Sequence, residues 1–475
     1  MDILTYQNFY LVGLKGVAMT SLAQCLLDAG KKVSGSDVAE NFVTQGLLAQ
    51  LPLKIDTDFA QPIPDEVDCL IYTAAHHGKN NPQVQAAIAK NIPVYSQAEA
   101  LGSLFNQKQG IAVCGVGGKS TVSAMIAWIL SQISINNQPS FSIGVGNIPG
   151  LNKTGQWRAS SQYFVAEADE YVTNPEEIRA GEPPQPRFSY LQPFITVCTN
   201  IKFDHPDVYR DFEQTVATFK KFFQQIKAGG KLIMNADDQS TYEEMFEFQG
   251  SDLPVEFFGE TPAASWQLTH YKANQGLTQS KFIYQDQIYE LSLQIPGQYN
   301  ALNALAAIAA CQTINIPIDQ SIQALAKFNS TMRRFEHLGQ KNGVEYYDDY
   351  AHHPSELRAV IKAIQEWYPD RRIVIAFQPH TYSRTKQLFA EFAAALTTAP
   401  EVILLDIFAS ARENFDPTIN CDQLVKRVKQ LEPQTKISNL KTIENLAKFC
   451  QTELKSGDVL ITLGAGDIYQ VHDLL

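Results

Sequence analysis

The stretch from Gly110 to Met125 constrains the fold of this chain more than any other, because it combines an apolar run, a glycine turn and a Lys-Ser pair. Ile111 to Cys114 predicts a buried strand, and Met125 to Leu130 predicts a helix. Between them lie Gly115, Gly117, Gly118, Lys119, Ser120 and Thr121. Such a loop turns its N–H groups onto a phosphate, while the lysine reaches the terminal phosphates and the serine holds Mg²⁺. A short connection without a ligand is the alternative.

Composition narrows the class of protein. The chain has 475 residues, and at roughly 150 residues per domain it is long enough for about three domains. The formal net charge of −12 argues against an extended nucleic-acid surface. No apolar run reaches about 18 residues and no export signal is visible, so we expect neither membrane insertion nor secretion. Seven dispersed cysteines without a Cys-x-x-Cys pair indicate reduced thiols, which is typical of the cytoplasm.

The first hundred residues open with a strand–helix–strand pattern. Phe9 to Val12 predicts a strand, and Gly13 to Met19 leads into a helical pattern. Asp37 follows the next strand at the distance typical of dinucleotide-binding folds, but Lys15 and Ala18 stand where that fingerprint has glycines. Three interpretations are therefore open. The turn binds a nicotinamide cofactor, or it binds nothing, or it holds another nucleotide by its pyrophosphate with Lys15 adding positive charge.

Carboxylates follow two strands predicted in the middle of the chain. The run that begins at Tyr163 leads into Glu167 and two further carboxylates, and the run Phe194 to Asn200 leads towards His205. If both strands are parallel neighbours of the Ile111 to Cys114 strand, their carboxyl ends meet at the phosphate loop. Mg²⁺ prefers hard oxygen ligands together with phosphate oxygens. Glu167 is therefore the first choice of ligand with His205 close to the metal, and a structural hydrogen bond is the alternative role for His205.

Three other segments of the middle region carry predictions. Residues 172–190 are rich in proline and charge and predict a surface loop. Residues 252–295 alternate apolar and polar side chains and predict antiparallel strands beside the main sheet. A helix follows in which Asn300 and Asn303 share one face, where their amides match the donor and acceptor of an adenine edge. Helix capping by Asn300 is equally consistent with the sequence.

The last third repeats a strand pattern four times. The strands are predicted at Val344–Tyr347, Ile373–Phe377, Val402–Leu405 and Val459–Leu463. Each ends in polar residues and most precede a helix. This pattern predicts a second doubly wound sheet whose functional edge lies at the carboxyl ends of its strands.

Taken together, six motifs resemble the Mur ligase family, the ATP-dependent amide-forming enzymes of peptidoglycan precursor synthesis. They are Gly-x-Gly-Gly-Lys-Ser-Thr (115–121), Glu-Ala-Asp-Glu (167–170), Thr-Asn-Ile-x-x-Asp-His (199–205), Asn-x-x-Asn-Ala-Leu-Ala-Ala (300–307), Arg-Arg-Phe-Glu (333–336) and Asp-Asp-Tyr-Ala-His-His-Pro (348–354). The resemblance implies an α/β fold with three domains. They are a Rossmann-like domain for a UDP-sugar at 1–106, a central P-loop ATPase domain with added antiparallel strands at 107–328, and a doubly wound, Rossmann-like domain for an amino acid at 329–475.

The resemblance also implies roles for single residues. ATP would be bound by Gly115, Gly117, Gly118, Lys119, Ser120, Thr121, Asn300, Asn303, Arg334 and Asp349. Mg²⁺ would be held by Ser120, Glu167 and His205. The UDP-sugar would meet Gly13, Lys15, Gly16, Met19 and Asp37, and the amino acid would meet Tyr350, His352 and Arg384. The residues expected to take part in catalysis are Lys119, Glu167, His205, Arg334 and His352.

The implied chemistry is the activation of a carboxylate as an acyl phosphate, which an amine then attacks. Within the family the chain is most similar to the branch whose substrates are UDP-N-acetylmuramate and L-alanine, and we expect a monomer or a weak homodimer. His352 is a candidate base, with domain positioning as its alternative role. Departures from the family pattern are Val116, Gly117, Tyr299 and Thr381. Three rivals follow: a sister ligase that attaches a preformed tripeptide, a nucleotide sensor without ATPase activity, and an NAD-linked dehydrogenase.

Overall fold

A computed structural model gives the fold of this chain. It describes residues 2–133, 138–175, 178, 181–238, 242–243, 253–409 and 413–475. Part of the 172–190 loop and part of the segment before the central hairpins therefore lie outside the described residues. All seven cysteine side chains are buried and free, as the sequence predicts.

The first sheet is parallel and has five strands in the order β3-β2-β1-β4-β5. The strands are β1 Asn8–Val12, β2 Lys32–Ser36, β3 Lys54–Asp56, β4 Cys69–Tyr72 and β5 Val94–Ser96, and the helices are α1 Val17–Asp28, α2 Gln45–Leu48, α3 Pro82–Ala89 and α4 Gln97–Phe105. A capping box explains where α4 begins, because the Ser96 and Glu99 side chains each bond the other's backbone N–H. Since Val12 pairs with Ser36, the turn at Gly13 and the carboxylate of Asp37 follow adjacent strands.

The central sheet has ten strands in the order β15-β14-β13-β12-β11-β10-β6-β9-β7-β8. Its strands are β6 Gln109–Cys114, β7 Ser140–Ser142, β8 Gly155–Gln156, β9 Tyr163–Glu167, β10 Ile195–Cys198, β11 Lys231–Asn235, β12 Val255–Gly259, β13 Trp266–Asn274, β14 Leu277–Tyr284 and β15 Gln287–Leu293. Its helices are α5 Lys119–Ile133, α6 Phe212–Phe223, α7 Gln298–Thr313 and α8 Ile318–Leu325. β9 and β10 flank β6 in parallel, and Val113 pairs with Val197 on one side and Glu167 on the other. The carboxyl ends of all three strands therefore meet, as predicted.

The prediction for residues 252–295 was partly wrong. β12 pairs in parallel with β11 and so extends the parallel part of the sheet. The hairpin nature of the strands after it follows from their two-residue connections, since a parallel crossover needs far more chain. In the second of these turns Gln285 has φ 50° and Asp286 has φ 59°, the two left-handed residues of a type I′ turn. β13 also pairs in parallel with β12, through Phe258–Trp266 and Gly259–Gln267, so the antiparallel addition within residues 252–295 consists of the β13–β14 and β14–β15 hairpins.

The third sheet has six strands in the order β16-β17-β21-β18-β19-β20, parallel except for the β16–β17 hairpin. Its strands are β16 Glu336–Lys341, β17 Val344–Asp349, β18 Ile373–Phe377, β19 Glu401–Leu405, β20 Lys436–Lys441 and β21 Val459–Leu463, and its helices are α9 Pro354–Trp367, α10 Tyr382–Gln387, α11 Phe389–Leu396, α12 Cys421–Leu431 and α13 Ile443–Glu453, with a closing 3-10 helix Ile468–Leu474. The four predicted strands are present. The two that the sequence did not predict, β16 and β20, lie at the edges of the sheet and lack an apolar run.

The chain divides into two compact units. Unit 1 comprises residues 1–270, 280–292 and 301–331, and unit 2 comprises residues 271–279, 293–300 and 332–475. The three sheets agree with the expected α/β fold, but the first sheet and most of the second belong to unit 1. Within unit 1, Ser21 of α1 lies 2.7 Å from the hydroxyl of Ser142 in β7, and the Gln24 side chain accepts the N–H groups of Thr154 and Gly155. The proposed domain boundaries at 106 and 328 stay predictions.

Candidate active site

The predicted phosphate loop runs from β6 into α5, and two of its glycines are required by the backbone. Gly115 has φ 122° and Gly118 has φ 89°, values that favour glycine. A Cβ at Gly115 would overlap the hydroxyl of Thr199, and one at Gly118 would stand 2.8 Å from Oδ1 of Asn303. The loop is therefore packed closely against the end of β10 and against α7, which leaves its N–H groups on a fixed scaffold.

Asn200 holds this loop, a role that the sequence did not predict. Its Oδ1 accepts the N–H groups of Val116 and Gly117 at 3.2 and 3.3 Å, and its Nδ2 donates to the Gly117 carbonyl at 3.1 Å. The Thr199 hydroxyl donates to the same carbonyl. Neither Val116 nor Gly117 has a polar side chain, so the turn after β10 supplies the hydrogen bonds that fix the loop.

Lys119 begins α5 and forms an ion pair with Glu170. Its ammonium lies 2.8 and 3.1 Å from the two carboxylate oxygens and also donates to the Gly115 carbonyl. Burial acts to lower the pKa of Lys119, but the carboxylates of Glu170, Asp169 and Glu167 together more than offset this effect, so the pKa is raised. Lys119 is therefore charged at neutral pH and poised beside the loop. Glu170 is the last residue of the Glu-Ala-Asp-Glu motif (167–170), yet the sequence predicted no role for it.

Further charges gather at the same edge of the central sheet. Burial would raise the pKa of Asp169, but Arg187 at 2.8 Å and the nearby Lys119 lower it to about 2. Nε2 of His205 lies 3.7 Å from Glu170 and 3.6 Å from Asp204. Lys119, Glu167 and His205, predicted together from three separate motifs, are thus all neighbours of one carboxylate cluster.

The residues expected at Mg²⁺ have suitable chemistry for it. Ser120 lies in the first turn of α5, and Glu167 is the last residue of the adjacent β9. Both offer hard oxygen atoms. Among the residues that the structure describes, no cluster of three or more His, Cys, Asp or Glu side chains is arranged as a metal cage. Mg²⁺ is usually held by one or two carboxylates and completes its shell with phosphate oxygens and water, and Glu167 is the carboxylate expected here.

The two asparagines of α7 have different surroundings. Oδ1 of Asn303 lies beside Gly118 of the phosphate loop, in unit 1. Nδ2 of Asn300 donates to the Pro296 carbonyl at 2.6 Å, within unit 2. Both side chains are buried. This bond is not the helix cap that was the alternative to adenine recognition, because Asn300 lies inside α7, which begins at Gln298, and donates the bond where a cap accepts one.

At the edge of the first sheet, three of the residues expected at the UDP-sugar have structural contacts. Asp37 is fully buried and accepts the Lys15 backbone N–H at 2.7 Å. The Lys15 ammonium donates to the carbonyls of residues 38–40 at 2.7 to 3.3 Å. Met19 is 1% exposed and belongs to the core. Gly13, with φ 85°, and Gly16 precede α1, but the N–H of Gly13 donates to the Ser36 carbonyl at 2.8 Å and that of Gly16 to the Gly13 carbonyl at 3.3 Å. A pyrophosphate at this turn would therefore be received by the first N–H groups of α1, which begins at Val17.

In unit 2, Arg334 lies beside a buried carboxylate and an aromatic ring. Its guanidinium stands 5.0 Å from the centroid of Tyr350. Asp349 accepts the N–H groups of Phe335 and Ala351, both at 2.7 Å. Burial raises the pKa of Asp349 to about 7, although Arg334 acts in the opposite direction. The carboxyl therefore changes its charge near neutral pH.

The residues expected at the amino acid form a connected row in unit 2. The rings of Tyr350 and His352 are 5.3 Å apart, and those of His352 and His380 are 6.3 Å apart. Nη1 of the buried Arg384 lies 3.2 Å from Nδ1 of His380. His380 completes the row but was not predicted. Glu356 lies 3.5 Å from His352 and caps α9; burial acts to raise its pKa, but His352 and Arg334 lower it.

Family models match three consecutive parts of the chain. The "Mur ligase family, catalytic domain" model matches residues 8–109, the "Mur ligase middle domain" model matches 113–311, and the "Mur ligase, glutamate ligase domain" model matches 333–466. The chain belongs to the Mur ligase family. Its family is ATP-dependent, and the predicted fold class and family are confirmed.

Relatives of known name cover the chain from end to end. A UDP-N-acetylmuramate--L-alanine ligase of Desulfitobacterium hafniense is 35% identical over 98% of this chain and 99% of its own. The crystal structure of a UDP-N-acetylmuramate-alanine ligase from Thermotoga maritima shares the fold with a TM-score of 0.79 at 24% identity, covering 99% and 98% of the two chains. A murein peptide ligase from Psychrobacter arcticus has a TM-score of 0.69 at 21% identity, covering 98% and 97%.

The residues that sequence reasoning missed share one property within this Mur ligase. Asn200, Glu170, Glu356 and His380 each contact another residue of the site, Asn200 through backbone groups of the phosphate loop and the other three through side chains. One local signal was present: the spacing of His353 and Glu356 is that of a capping box. The contact of His380 with Arg384 is also local, whereas the contacts of Asn200 and Glu170 depend on which strands are neighbours.

Proposed function

We propose that this Mur ligase joins L-alanine to the carboxylate of UDP-N-acetylmuramate with the hydrolysis of ATP to ADP and phosphate. The observation that carries the proposal is the charged Lys119, held at the start of α5 beside the carboxylates that follow β9. The full-length relatives with this printed name support the choice of substrates. The reaction belongs to peptidoglycan precursor synthesis, and we place it in the cytoplasm.

The first step transfers the γ-phosphoryl group of ATP to the sugar carboxylate, which gives an acyl phosphate and ADP. The glycine loop and Lys119 bind the phosphates, and Arg334 is proposed to contact the transferring group. Ser120, Glu167 and His205 would hold Mg²⁺, which would supply positive charge to offset the negative charge that develops on the phosphoryl group. Since Lys119 is paired with Glu170 here, binding of ATP exchanges a carboxylate for a phosphate as the partner of the ammonium.

The second step is attack of the alanine amine on the acyl phosphate. A tetrahedral intermediate forms, phosphate leaves, and the nitrogen loses a proton as the amide bond is completed. Arg384 binds the carboxylate of the amino acid, and His352 is the candidate acceptor of the proton. Its Nδ1 lies 3.0 Å from the Tyr350 carbonyl and 3.5 Å from Glu356, which orients the ring.

The proposal is tested by measuring phosphate release with ATP, UDP-N-acetylmuramate and a panel of amine substrates. We expect release that requires both the sugar nucleotide and L-alanine. A preference for the murein tripeptide would identify the sister activity, and release without either acceptor would indicate a simple ATPase. No release under any combination would favour a nucleotide sensor.

A further inference from the structure

The turn that presents Arg334 has an unusual backbone in unit 2. Arg333 has φ 60° and Phe335 has φ 47°, so both neighbours of Arg334 are left-handed. Glycine is the usual residue at such positions because it has no Cβ. The chain has an arginine and a phenylalanine instead, so the contacts of these two side chains must compensate for the strained backbone.

Phe335 anchors one side of the turn. Its side chain is 3% exposed, belongs to the core of unit 2 and meets the ring of Tyr347 at 5.3 Å. Its backbone N–H donates to Asp349 at 2.7 Å. The residue after Arg334 is therefore fixed by both its backbone and its ring.

Arg333 anchors the other side with an enclosed guanidinium. Nε lies 2.9 Å from Asp348, and the two terminal nitrogens donate to the carbonyls of Gly464 and Gly466. The group also stacks 4.3 Å from the ring of Tyr469. Arg333 is only 6% exposed, so its charge is used inside the protein and does not contact a substrate.

The contacts of Arg333 extend to the end of the chain. Asp348 also accepts the hydroxyl of Thr462 at 2.6 Å, and Nε2 of His472 lies 2.8 Å from the same hydroxyl. Tyr469 and His472 both belong to the 3-10 helix Ile468–Leu474. The last strand and the last helix thus brace the carboxylate that holds Arg333.

Backbone contacts link this brace to the ring next to Arg334. The carbonyl of Arg333 accepts the N–H of Tyr350 at 2.7 Å. The ring of Tyr350 lies 5.2 Å from the guanidinium of Arg333 and 5.0 Å from that of Arg334. A shift of Arg333 would therefore move both the backbone and the aromatic support of Arg334.

We propose that Arg333 is a positioning residue for phosphoryl transfer, which acts by fixing the 333–335 turn so that Arg334 is directed at the transferring phosphate. The C-terminal segment from Gly464 to His472 is the brace for that turn. This inference rests on the proposed function, in which Arg334 contacts the phosphoryl group. It assigns a catalytic consequence to a side chain that contacts no substrate.

The test is a double-mutant cycle on kcat with Arg333→Met and Arg334→Met. We expect each single variant to lower kcat by about tenfold or more, with the KM for L-alanine changed less than about twofold. If Arg333 acts through Arg334, adding Arg333→Met to Arg334→Met lowers kcat no further than about twofold. Arg333→Lys keeps the charge without the fork and should recover only part of the loss.

A second pair of variants keeps the test valid if Arg333→Met does not fold. Tyr469→Leu removes the stacked ring and should lower kcat, while the matched control Tyr469→Phe should retain it. Additive losses in the double mutant, or a normal kcat for folded Arg333→Met, would overturn the positioning role. Full activity of Arg334→Met would instead overturn the role of Arg334 in the proposed function.

Discussion

Lys119 shows how one residue type gains its function from its neighbours. Its ammonium is partly buried, and it keeps its charge because the carboxylate of Glu170, which is itself 2% exposed, lies within hydrogen-bond distance. A lysine so placed has few conformations, so little entropy is lost when phosphate replaces the carboxylate.

We predict that Lys119→Met lowers ATP-dependent phosphate release by at least about 100-fold, since a pre-oriented charge at the phosphoryl group is lost. The measurement is initial rate with all three substrates, with circular dichroism to show that the variant folds. Lys221→Met, at an exposed position of α6, is the matched control and should be unchanged. Near-normal turnover of folded Lys119→Met would refute the assignment of the loop.

The raised pKa of Asp349 leads us to expect that the stability of the protein depends on pH. Its pKa is about 7 in the folded chain because of burial, against an ordinary value of 3.8. The folded state therefore binds this proton more tightly than the unfolded state, and stability must fall as pH rises. The contribution is complete below about pH 4 and is lost as the pH passes through about 7.

We expect Asp349→Asn to lose this dependence. Between about pH 5 and pH 8 the free energy of unfolding should fall by up to about 2 to 3 kcal/mol more in the parent than in the variant. Urea unfolding at several pH values measures the difference, with Asp370→Asn, at an exposed position, as control. Parallel pH profiles for the parent and Asp349→Asn would contradict the raised pKa.

We expect the loss of Arg384 to weaken the binding of the amino acid selectively. Its buried guanidinium lies at the end of the Tyr350–His352–His380 row, so its loss removes a charge-assisted hydrogen bond to the substrate carboxylate. We expect Arg384→Ala to raise the KM for L-alanine about tenfold or more, with a much smaller change for ATP. Arg358→Ala, at an exposed position of α9, should leave both constants unchanged. Equal increases would remove Arg384 from the amino-acid pocket.

At the scale of elements, the contact of α1 with β8 joins the first two sheets. Gly155 has no side chain, and a Cβ there would overlap the carbonyl of Ser21 in α1. The neighbouring N–H groups of Thr154 and Gly155 are satisfied by Gln24. Any side chain at position 155 must therefore push α1 away from the hairpin.

We expect Gly155→Ala to destabilise the protein by about 1 to 3 kcal/mol, the usual cost of overpacking. Thermal unfolding measures the effect. Gly46→Ala is the matched control, because nothing lies within 4 Å of a Cβ at that helical glycine. A melting temperature unchanged by Gly155→Ala would show that α1 is free to move.

At the scale of the whole molecule, two units imply two separable cores. The apolar cluster that contains Leu11 and Phe164 serves both sheets of unit 1, while Phe392 is buried in unit 2. Compact units with their own cores often unfold independently.

We therefore predict two calorimetric transitions. Gly155→Ala should lower the temperature of one, and Phe392→Ala should lower that of the other by removing a buried ring. The comparison uses the full chain throughout. A single transition that both variants shift equally would show that the two units unfold as one.

The sequence by itself determined the features that depend on residues close together along the chain. Apolar runs gave the buried strands of the parallel sheets, and the glycines at 115 and 118 follow from positive φ values that a local motif can encode. The edge strands β16 and β20 escaped prediction because their solvated faces leave no apolar run. Within the described residues, no helix is long and apolar enough to cross a bilayer.

Only the tertiary structure decided what each polar side chain contacts. Lys15 donates to three carbonyls, Met19 is core, and Asn200 and Glu170 hold the phosphate loop and its lysine. These partners lie 23 to 84 positions apart in sequence, brought together by strand register and chain packing. Local patterns encode strands, helices and turns, but the order of strands in a sheet follows from the packing of the whole chain, and that order selects the neighbours of every catalytic group.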